Sequence, residues 1–239
     1  MAMNRTGFHR VVFFLLFTTL PAAAQDFTIG VENTQNKPFW STQKDSYHGI
    51  SRELLDAFAA SRGYRFHYRM YPVKRLWQAF LTGDIDFKYP DNPHWQPDLD
   101  RNGHVTYSAP LHDLEEGTLV KVEHADITAD RIKRLGIVRG WTAIGYESLI
   151  VSGKIKLVES SHLAALIKMC VSGRIDAIYT NKTAYQFEAN KLGYDTELLV
   201  IAPNLPHIRT DYRLSTIKHP KLIAEFNHFL AQKSHSSSP

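Results

Sequence analysis

The chain has 239 residues, one cysteine (Cys170) and a formal net charge of +4. A single cysteine excludes an internal disulfide, and its place in an apolar helical pattern predicts a buried thiol. Without Arg5 and Arg10 the charge falls to about +2. The charges are well mixed and form no basic block, which argues against a nucleic-acid partner. The length suits one large domain or two small lobes.

The first two dozen residues have the features of a secretory signal peptide. Arg5 and Arg10 precede an apolar run over residues 11–20, and three alanines at residues 22–24 provide a cleavage site. We therefore predict a cleaved signal peptide over residues 1–24 and a periplasmic mature protein. The alternative is an uncleaved membrane anchor, although the run is short for a membrane span. No cysteine follows the run, so no lipid anchor is expected.

The first half of the mature chain alternates strands and helices. Strands are predicted over residues 27–31, 66–70 and 85–89, where β-branched and aromatic residues dominate. Apolar residues at helical spacing predict one helix between the first two strands. A second helix begins at Pro72 and ends at Gly83. This β-α-β-α-β order favours a mostly parallel sheet with helices on its faces.

The second half resumes this alternation after a polar loop over residues 90–103 and two extended stretches, 105–111 and 118–122. The predicted strands span residues 135–138, 155–158, 175–179 and 198–202. The predicted helices span residues 142–152, 161–172, 182–192 and 220–232.

One short phrase occurs twice. Residues 81–87 (LTGDIDF) reappear as residues 171–177 (VSGRIDA), and each copy ends a helix at a glycine and begins a strand. A repeated helix–Gly–strand unit predicts two similar lobes with a cleft between them, and therefore a ligand. Asp86 and Asp176 resemble a catalytic pair, but their place at a strand start predicts structural roles.

These patterns divide the chain into segments. We predict a first part of lobe 1 at 25–108, a hinge crossing at 109–121, lobe 2 at 122–197, a return crossing with the second part of lobe 1 at 198–233, and a disordered tail at 234–239. Two extended crossings form a two-strand hinge, which would let the lobes close on a ligand.

Several motifs, in order, give the mature chain a family resemblance. They are Pro38-Phe39, Gly49-Ile50 with Glu53-Leu54-Leu55, Gly83 with Ile85-Asp86, Tyr107-Ser108-Ala109-Pro110-Leu111, Gly136-Ile137-Val138-Arg139-Gly140-Trp141-Thr142 and Gly173-Arg174-Ile175-Asp176-Ala177. Over nearly its full length the chain resembles the amino-acid type of periplasmic solute-binding proteins, extracellular solute-binding family 3. The resemblance implies an α/β, two-lobed type II periplasmic binding protein fold with mostly parallel sheets, helices on both faces and a two-strand hinge.

The resemblance also implies a function. It predicts a monomer that captures a small polar ligand, an amino acid derivative or related carboxylate, in the inter-lobe cleft. A membrane transporter of the ABC type or a sensor protein would then recognise the closed form. No cofactor, metal site or catalytic residue is predicted.

The ligand-binding residues follow partly from the resemblance. Carried over by position, Phe39 supplies an aromatic contact, Arg101 a fork for a carboxylate, and Thr142 a place near a helix N-terminus. Asn181 stands where an acidic residue takes an ammonium group. The corner after the third strand contributes Tyr89, Asp91 and Asn92.

Other candidates come from the residues themselves. Arg139 lies at a strand end beside a glycine and faces an anion or solvent, while Trp40 and Trp95 lie in loops, where aromatic rings often stack on ligands. Asn181 is neutral and the corner after the third strand is long and proline-rich. Both departures from the family pattern argue against a standard α-amino acid, unless Asp91 takes the cationic group instead.

Two other functions stay open at this point. One is a lyase similar to cyclohexadienyl dehydratase, with Asp91 or Glu32 as its acid. The other is a sensor module that has lost its ligand.

Overall fold

The computed structural model describes residues 24–43, 46–95 and 104–236. One ten-stranded sheet runs through the molecule, and a small three-stranded sheet lies beside it. The strands are β1 (Gln25–Glu32), β2 (Gln35–Asn36), β3 (Trp40–Gln43), β4 (Ser46–His48), β5 (Tyr64–Tyr71), β6 (Phe87–Asp91), β7 (Thr106–Tyr107), β8 (His112–Lys121), β9 (Arg134–Val138), β10 (Lys156–Ser160), β11 (Ala177–Asn181), β12 (Leu199–Ile201) and β13 (His207–Thr216). The helices are α1 (Ile50–Arg62), α2 (Val73–Leu81), α3 (Glu147–Val151), α4 (Leu163–Val171), α5 (Lys182–Lys191) and α6 (Pro220–Ser236).

Lobe 1 is built on three parallel strands in the order β5-β1-β6. On one face, Phe58 of α1 and Phe226 of α6 pack in a buried cluster with Phe27 of β1. On the other face, Leu76 and Phe80 of α2 form a separate cluster. Each helix therefore buries one apolar stripe against the sheet, which is the main source of its stability.

Lobe 2 repeats this plan with the parallel strands β10-β9-β11. Leu166 of α4 and Tyr185 of α5 belong to a buried cluster on one face. The segment that contains Tyr146 and Ile155 covers the other face.

The two lobes are joined by two long antiparallel strands, β8 and β13. They pair from His207 opposite Gly117 to Tyr212 opposite His112. Beyond this shared stretch, β8 continues into lobe 2 beside β11 and β12, and β13 continues into lobe 1 beside β6 and β7. The predicted fold class, with its two lobes and two-strand hinge, is confirmed.

The aspartates of the repeated phrase have matching structural roles. The Oδ2 atom of Asp86 accepts a hydrogen bond of 2.8 Å from the backbone N–H of Thr28. The Oδ2 atom of Asp176 accepts one of 2.7 Å from the backbone N–H of Arg134. Each carboxylate thus fixes the first strand of its own lobe, as the sequence predicted.

The isoleucines of the repeated phrase, Ile85 and Ile175, explain why two strand positions are occupied by glycine. A Cβ atom at Gly30 would collide with the side chain of Ile85, and one at Gly136 would collide with that of Ile175. The first strand of each lobe carries a glycine because the isoleucine of the repeat packs directly on its backbone.

Lobe 2 also corrects one prediction. The predicted helix over residues 142–152 is wrong at its start, because α3 begins only at Glu147. Residues 142–146 form an irregular segment with Gly145 at φ +84°. Ala143 and Tyr146 point into the core from this segment. The left-handed backbone of Gly145 interrupts the helix.

The loop expected between the first strand and first helix contains β2, β3 and β4. Strands of two to four residues are too short to show an alternating pattern. The extended stretch over residues 105–111 contains only two strand residues, Thr106 and Tyr107. Cys170 is buried in lobe 2, as its helical position predicted.

The described residues include only part of the predicted terminal segments. Of the predicted signal peptide only Ala24 lies within the described residues, and α6 extends to Ser236 at the other end. Among the described residues, no helix has the length and apolar character needed to span a bilayer. The segment boundaries of the two lobes stay a prediction.

Candidate functional site

A cavity of about 160 Å³, the interlobe cavity, lies between the two lobes. Lobe 1 lines it with Glu32, Trp40, Val73, Trp77, His94 and Trp95. Lobe 2 lines it with Gly140, Trp141, Thr142, Ile144 and Glu147, and the hinge strands add Glu116 and Tyr212. Because both lobes contribute to its wall, the cavity must change shape whenever the lobes move.

A larger depression of about 690 Å³ lies on lobe 2, lined by residues such as Lys121, Asp126 and Asp176. It receives no residue from lobe 1 and no Phe, Tyr or Trp ring. The interlobe cavity is the better candidate site because aromatic walls with a few polar groups are typical of small-molecule sites.

All four tryptophans of the chain line the interlobe cavity. The rings of Trp40 and Trp95 lie edge to face with Tyr212, with centroids 5.0 and 5.9 Å away. The indole N–H of Trp40 donates to the hydroxyl of Thr34 over 3.0 Å. Packing and hydrogen bonding therefore hold these rings in place before a ligand arrives.

Glu32, at the end of β1, is a buried carboxylate of this wall. It accepts hydrogen bonds from the indole N–H of Trp141 (3.0 Å) and from the hydroxyl of Thr34 (3.1 Å). Burial raises the pKa of Glu32, and the positive charge of Lys88 opposes that rise. Glu32 is thus a hydrogen-bonded group that links lobe 1 to lobe 2.

Glu116, on hinge strand β8, is a buried carboxyl group with a different environment. The residue is only 8% exposed, lines the cavity, and receives no hydrogen bond from any described residue. Burial, and to a smaller extent the charge of Glu32, raise the pKa of Glu116 from 4.5 to about 7. Glu147 adds a third, exposed carboxylate at the edge of the cavity.

Behind the cavity wall lies a buried lysine that is already neutralised. Lys88 Nζ donates to Asp91 Oδ1 over 2.9 Å and to the carbonyl of Pro90 over 2.9 Å. It also lies 3.7 Å from the ring centroid of Trp77 and 5.7 Å from that of Trp95. Burial lowers the pKa of Lys88, and Asp91 counteracts this effect.

Direct hydrogen bonds join the lobes around the cavity. Asn181 of lobe 2 donates from Nδ2 to Asn36 Oδ1 of lobe 1 over 3.0 Å, and to the Tyr212 hydroxyl over 3.3 Å. The Trp141–Glu32 bond makes a second connection. The structure therefore has its lobes in contact, in a closed arrangement.

The ligand-binding residues predicted from the sequence lie in different places. Trp40, Trp95 and Thr142 line the cavity. Arg101 lies outside the described residues. Phe39 is buried, and its ring packs against His112 and Tyr212 rather than in the cavity wall.

The predicted corner comprises the end of β6 and Asn92, and its side chains form internal hydrogen bonds. The Tyr89 hydroxyl lies 2.7 Å from Ser51 Oγ. Asp91 pairs with Lys88 and accepts a hydrogen bond from Ser215. Asn92 donates from Nδ2 to the carbonyl of Asp211 over 3.0 Å. None of the three predicted residues of this corner lines the cavity.

The remaining two candidates belong to other surroundings. Arg139 is exposed and lines a separate depression, together with Lys74 and Glu159. Asn181 caps α5 by accepting a hydrogen bond of 2.7 Å from Ala184 N–H, in addition to its contact with lobe 1. Because α3 begins five residues after Thr142, no helix N-terminus lies at Thr142 to favour an anion.

The sequence assigned no ligand-binding role to most of the cavity wall, including Trp77, Trp141, Glu116 and Tyr212. Trp77 lies on the apolar face of α2, which predicts a core residue. It belongs to the buried cluster of that face and also lines the cavity. The sequence contains one sign of Glu116, because this acidic residue comes just before the predicted extended stretch 118–122. Burial of a carboxylate there costs free energy unless a partner compensates it. Trp141 stands in the quoted Gly140-Trp141-Thr142 turn and had no assigned role.

Comparison with known structures identifies the fold. An ancestral arginine-binding protein bound to arginine is 16% identical, with a TM-score of 0.67 over 90% of this chain and 94% of the other. A substrate-binding protein of an ABC uptake transporter from Streptococcus pneumoniae, with bound histidine, is 18% identical (TM-score 0.63, 87% and 86%). An ancestral amino-acid-binding protein, a precursor of cyclohexadienyl dehydratase, is 20% identical (TM-score 0.63, 88% and 90%).

The chain therefore has the two-lobed fold of type II periplasmic binding proteins, with its cavity where the lobes meet. No protein-family model matches the sequence. No curated protein matches it significantly.

Proposed function

We propose that the chain is a periplasmic solute-binding protein that captures a small polar ligand in the interlobe cavity, for ABC-type uptake or for sensing. The observation that carries this proposal is a cavity whose wall is shared by both lobes and both hinge strands. A ligand there touches both lobes at once and stabilises the closed arrangement over an open one.

The similar structures support a ligand of amino acid type. Two of them are bound to arginine or histidine, and an amino acid derivative or related carboxylate is what the sequence resemblance implies. Fold likeness at this identity does not fix the ligand. Arg101, outside the described residues, is the side chain that would bind a carboxylate.

The test is a thermal-shift screen of small metabolites on the mature chain. A true ligand raises the melting temperature in a concentration-dependent way, by mass action. Trp141→Ala should abolish the shift, whereas Phe187→Ala, which removes an exposed aromatic ring on α5 outside the cavity, should preserve it. A protein that melts cooperatively, carries no small molecule when purified and responds to no metabolite would contradict the proposal.

A second candidate function has one observation in its favour. A carboxyl group with a pKa of about 7, such as Glu116, can act as a general acid or base at neutral pH. Asp91, one of the two acids predicted for a lyase beside Glu32, pairs with Lys88. Recovery of the bound ligand unchanged after long incubation argues for binding. Its conversion, lost in Glu116→Gln, would argue for a lyase.

A further inference from the structure

We propose that the ligand of the interlobe cavity is a small organic cation, held between tryptophan rings and against the carboxylate of Glu116. This inference rests on the proposed function and names its ligand class. It concerns the charged head of the ligand, an ammonium or a guanidinium group.

The aromatic wall is the first argument. Trp40, Trp77, Trp95 and Trp141 line one small cavity together with Tyr212. The faces of these rings are electron-rich, and a cation over them is attracted most strongly where water is excluded. Lys88 already uses this attraction, with Nζ 3.7 Å from the ring centroid of Trp77.

The balance of charge is the second argument. Among the described residues that line the cavity there are three carboxyl groups, Glu32, Glu116 and Glu147, and no Lys or Arg. The nearest buried cation, Lys88, is paired with Asp91. Arg139 lines a different depression. A ligand with a positive group balances the carboxyl groups of these described residues.

The surroundings of Glu116 are the third argument. A buried carboxylate costs free energy unless hydrogen bonds or a cation compensate it. Glu32 has two hydrogen-bond donors, but no described residue donates to Glu116. The described residues that interact electrostatically with Glu116 are Glu32 on β1, Tyr179 on β11 and Tyr212 on β13, and none of these three carries a positive charge. A cationic group of the ligand would compensate the burial of the Glu116 carboxylate.

The size of the cavity limits the ligand. Its volume of about 160 Å³ is close to that of a cavity that holds one benzene-sized molecule, about 150 Å³. A quaternary ammonium or a guanidinium head fits this space, while the rest of a longer ligand must extend toward Thr142 and Glu147 at the cavity edge.

The test is isothermal titration of the mature chain with matched probes. Choline represents the quaternary ammonium group, and L-arginine the guanidinium group. The uncharged compound 3,3-dimethylbutan-1-ol has nearly the same shape as choline. We expect at least one cation to bind, and choline, if it is that cation, to bind more than about tenfold more tightly than its neutral analogue.

Two variants localise the effect. Glu116→Gln keeps the shape of the side chain and should weaken cation binding by about tenfold, without changing the affinity for the neutral alcohol. Glu115→Gln is the matched control, because Glu115 is the adjacent residue of β8, exposed on the opposite face of the strand. It should leave cation binding unchanged.

The outcomes separate this inference from the proposed function. Three results overturn the cation inference and leave solute binding intact: choline that binds no more tightly than the neutral alcohol, preference for an anion such as succinate, or binding of another metabolite when neither cation binds. Failure of these probes and of the entire metabolite screen overturns both. Because the comparison of probes uses the unaltered protein, it stands even if Glu116→Gln fails to fold.

Discussion

Two buried carboxylates, Asp91 and Glu116, show how differently the end of β6 in lobe 1 and the hinge strand β8 are built. Asp91, the last residue of β6, is fully buried with an ion pair to Lys88 and a hydrogen bond from Ser215. Glu116, on the hinge strand β8, is nearly as buried but has no such partner among the described residues. The first carboxylate has a structural role, and we propose the second for ligand binding.

The largest expected loss of stability comes from removing the carboxylate that is paired with Lys88. Asp91→Asn leaves the charge of Lys88 buried without its partner, which should cost about 3–5 kcal/mol in the free energy of unfolding. Urea denaturation at pH 7 measures this loss. Asp26→Asn, at an exposed ion pair with Arg65, is the control and should cost less than about 1 kcal/mol. A loss as small as that in Asp91→Asn would contradict a structural role for the pair.

The next effect concerns Glu116 and the pH dependence of stability. The pKa of Glu116 is about 7 in the folded protein, above its ordinary value of 4.5. Between these two values the folded protein holds a proton that the unfolded chain has released. Stability from this group is therefore fully present below about pH 4.5 and is lost as the pH rises through about 7. The total loss is on the order of 3 kcal/mol.

Glu116→Gln removes this dependence. Without ligand, the variant should be more stable than the wild type at pH 8 by an amount of that order, and about equally stable near pH 4.5. Urea denaturation across this range measures the difference, and Glu115→Gln should follow the wild type. A Glu116→Gln variant that is less stable at pH 8 would show that the carboxylate has a partner after all.

A smaller effect concerns Asn181, which forms hydrogen bonds from lobe 2 to lobe 1 and to the hinge. If Asn181 faced a ligand ammonium, Asn181→Asp would tighten binding. Its amide instead donates to Asn36 Oδ1 across the lobes and to Tyr212. The substitution removes both donors and buries a charge, so we expect a loss of about 2 kcal/mol in stability and no gain in affinity. Asn204→Asp, at an exposed position, should change stability by less than about 0.5 kcal/mol. Tighter ligand binding by Asn181→Asp would restore the sequence-based interpretation.

The sequence predicted the fold well because the fold depends on local patterns. The repeated Gly-x-Ile-Asp unit predicted two similar lobes, and Asp86 and Asp176 have the structural roles expected of them. The start of α3 was not predictable from apolar spacing, because Ala143 and Tyr146 fill the core from an irregular segment that turns at Gly145.

The site was less predictable because it is assembled from distant parts of the chain. Trp40 and Trp95 were found by their positions in loops. Glu116 and Tyr212 come together only when β8 pairs with β13, so their spacing in the sequence contains no sign of the cavity. Asp91 and Asn92 had the right chemistry, but internal partners take up their hydrogen bonds.

The most direct test of the account is the pH dependence of cation affinity, measured by titration of the mature chain with choline or, if it binds more tightly, L-arginine. Ionisation of Glu116 should raise the association constant between pH 5.5 and 8 by about tenfold, because the carboxylate attracts the cation only when charged. Glu32, Glu147 and His94 also line the cavity, so His94→Gln separates the contribution of the imidazole from that of Glu116. The account predicts that Glu116→Gln flattens the profile and His94→Gln does not. An unchanged or falling affinity in the wild type, or an equally steep profile in Glu116→Gln, would contradict it.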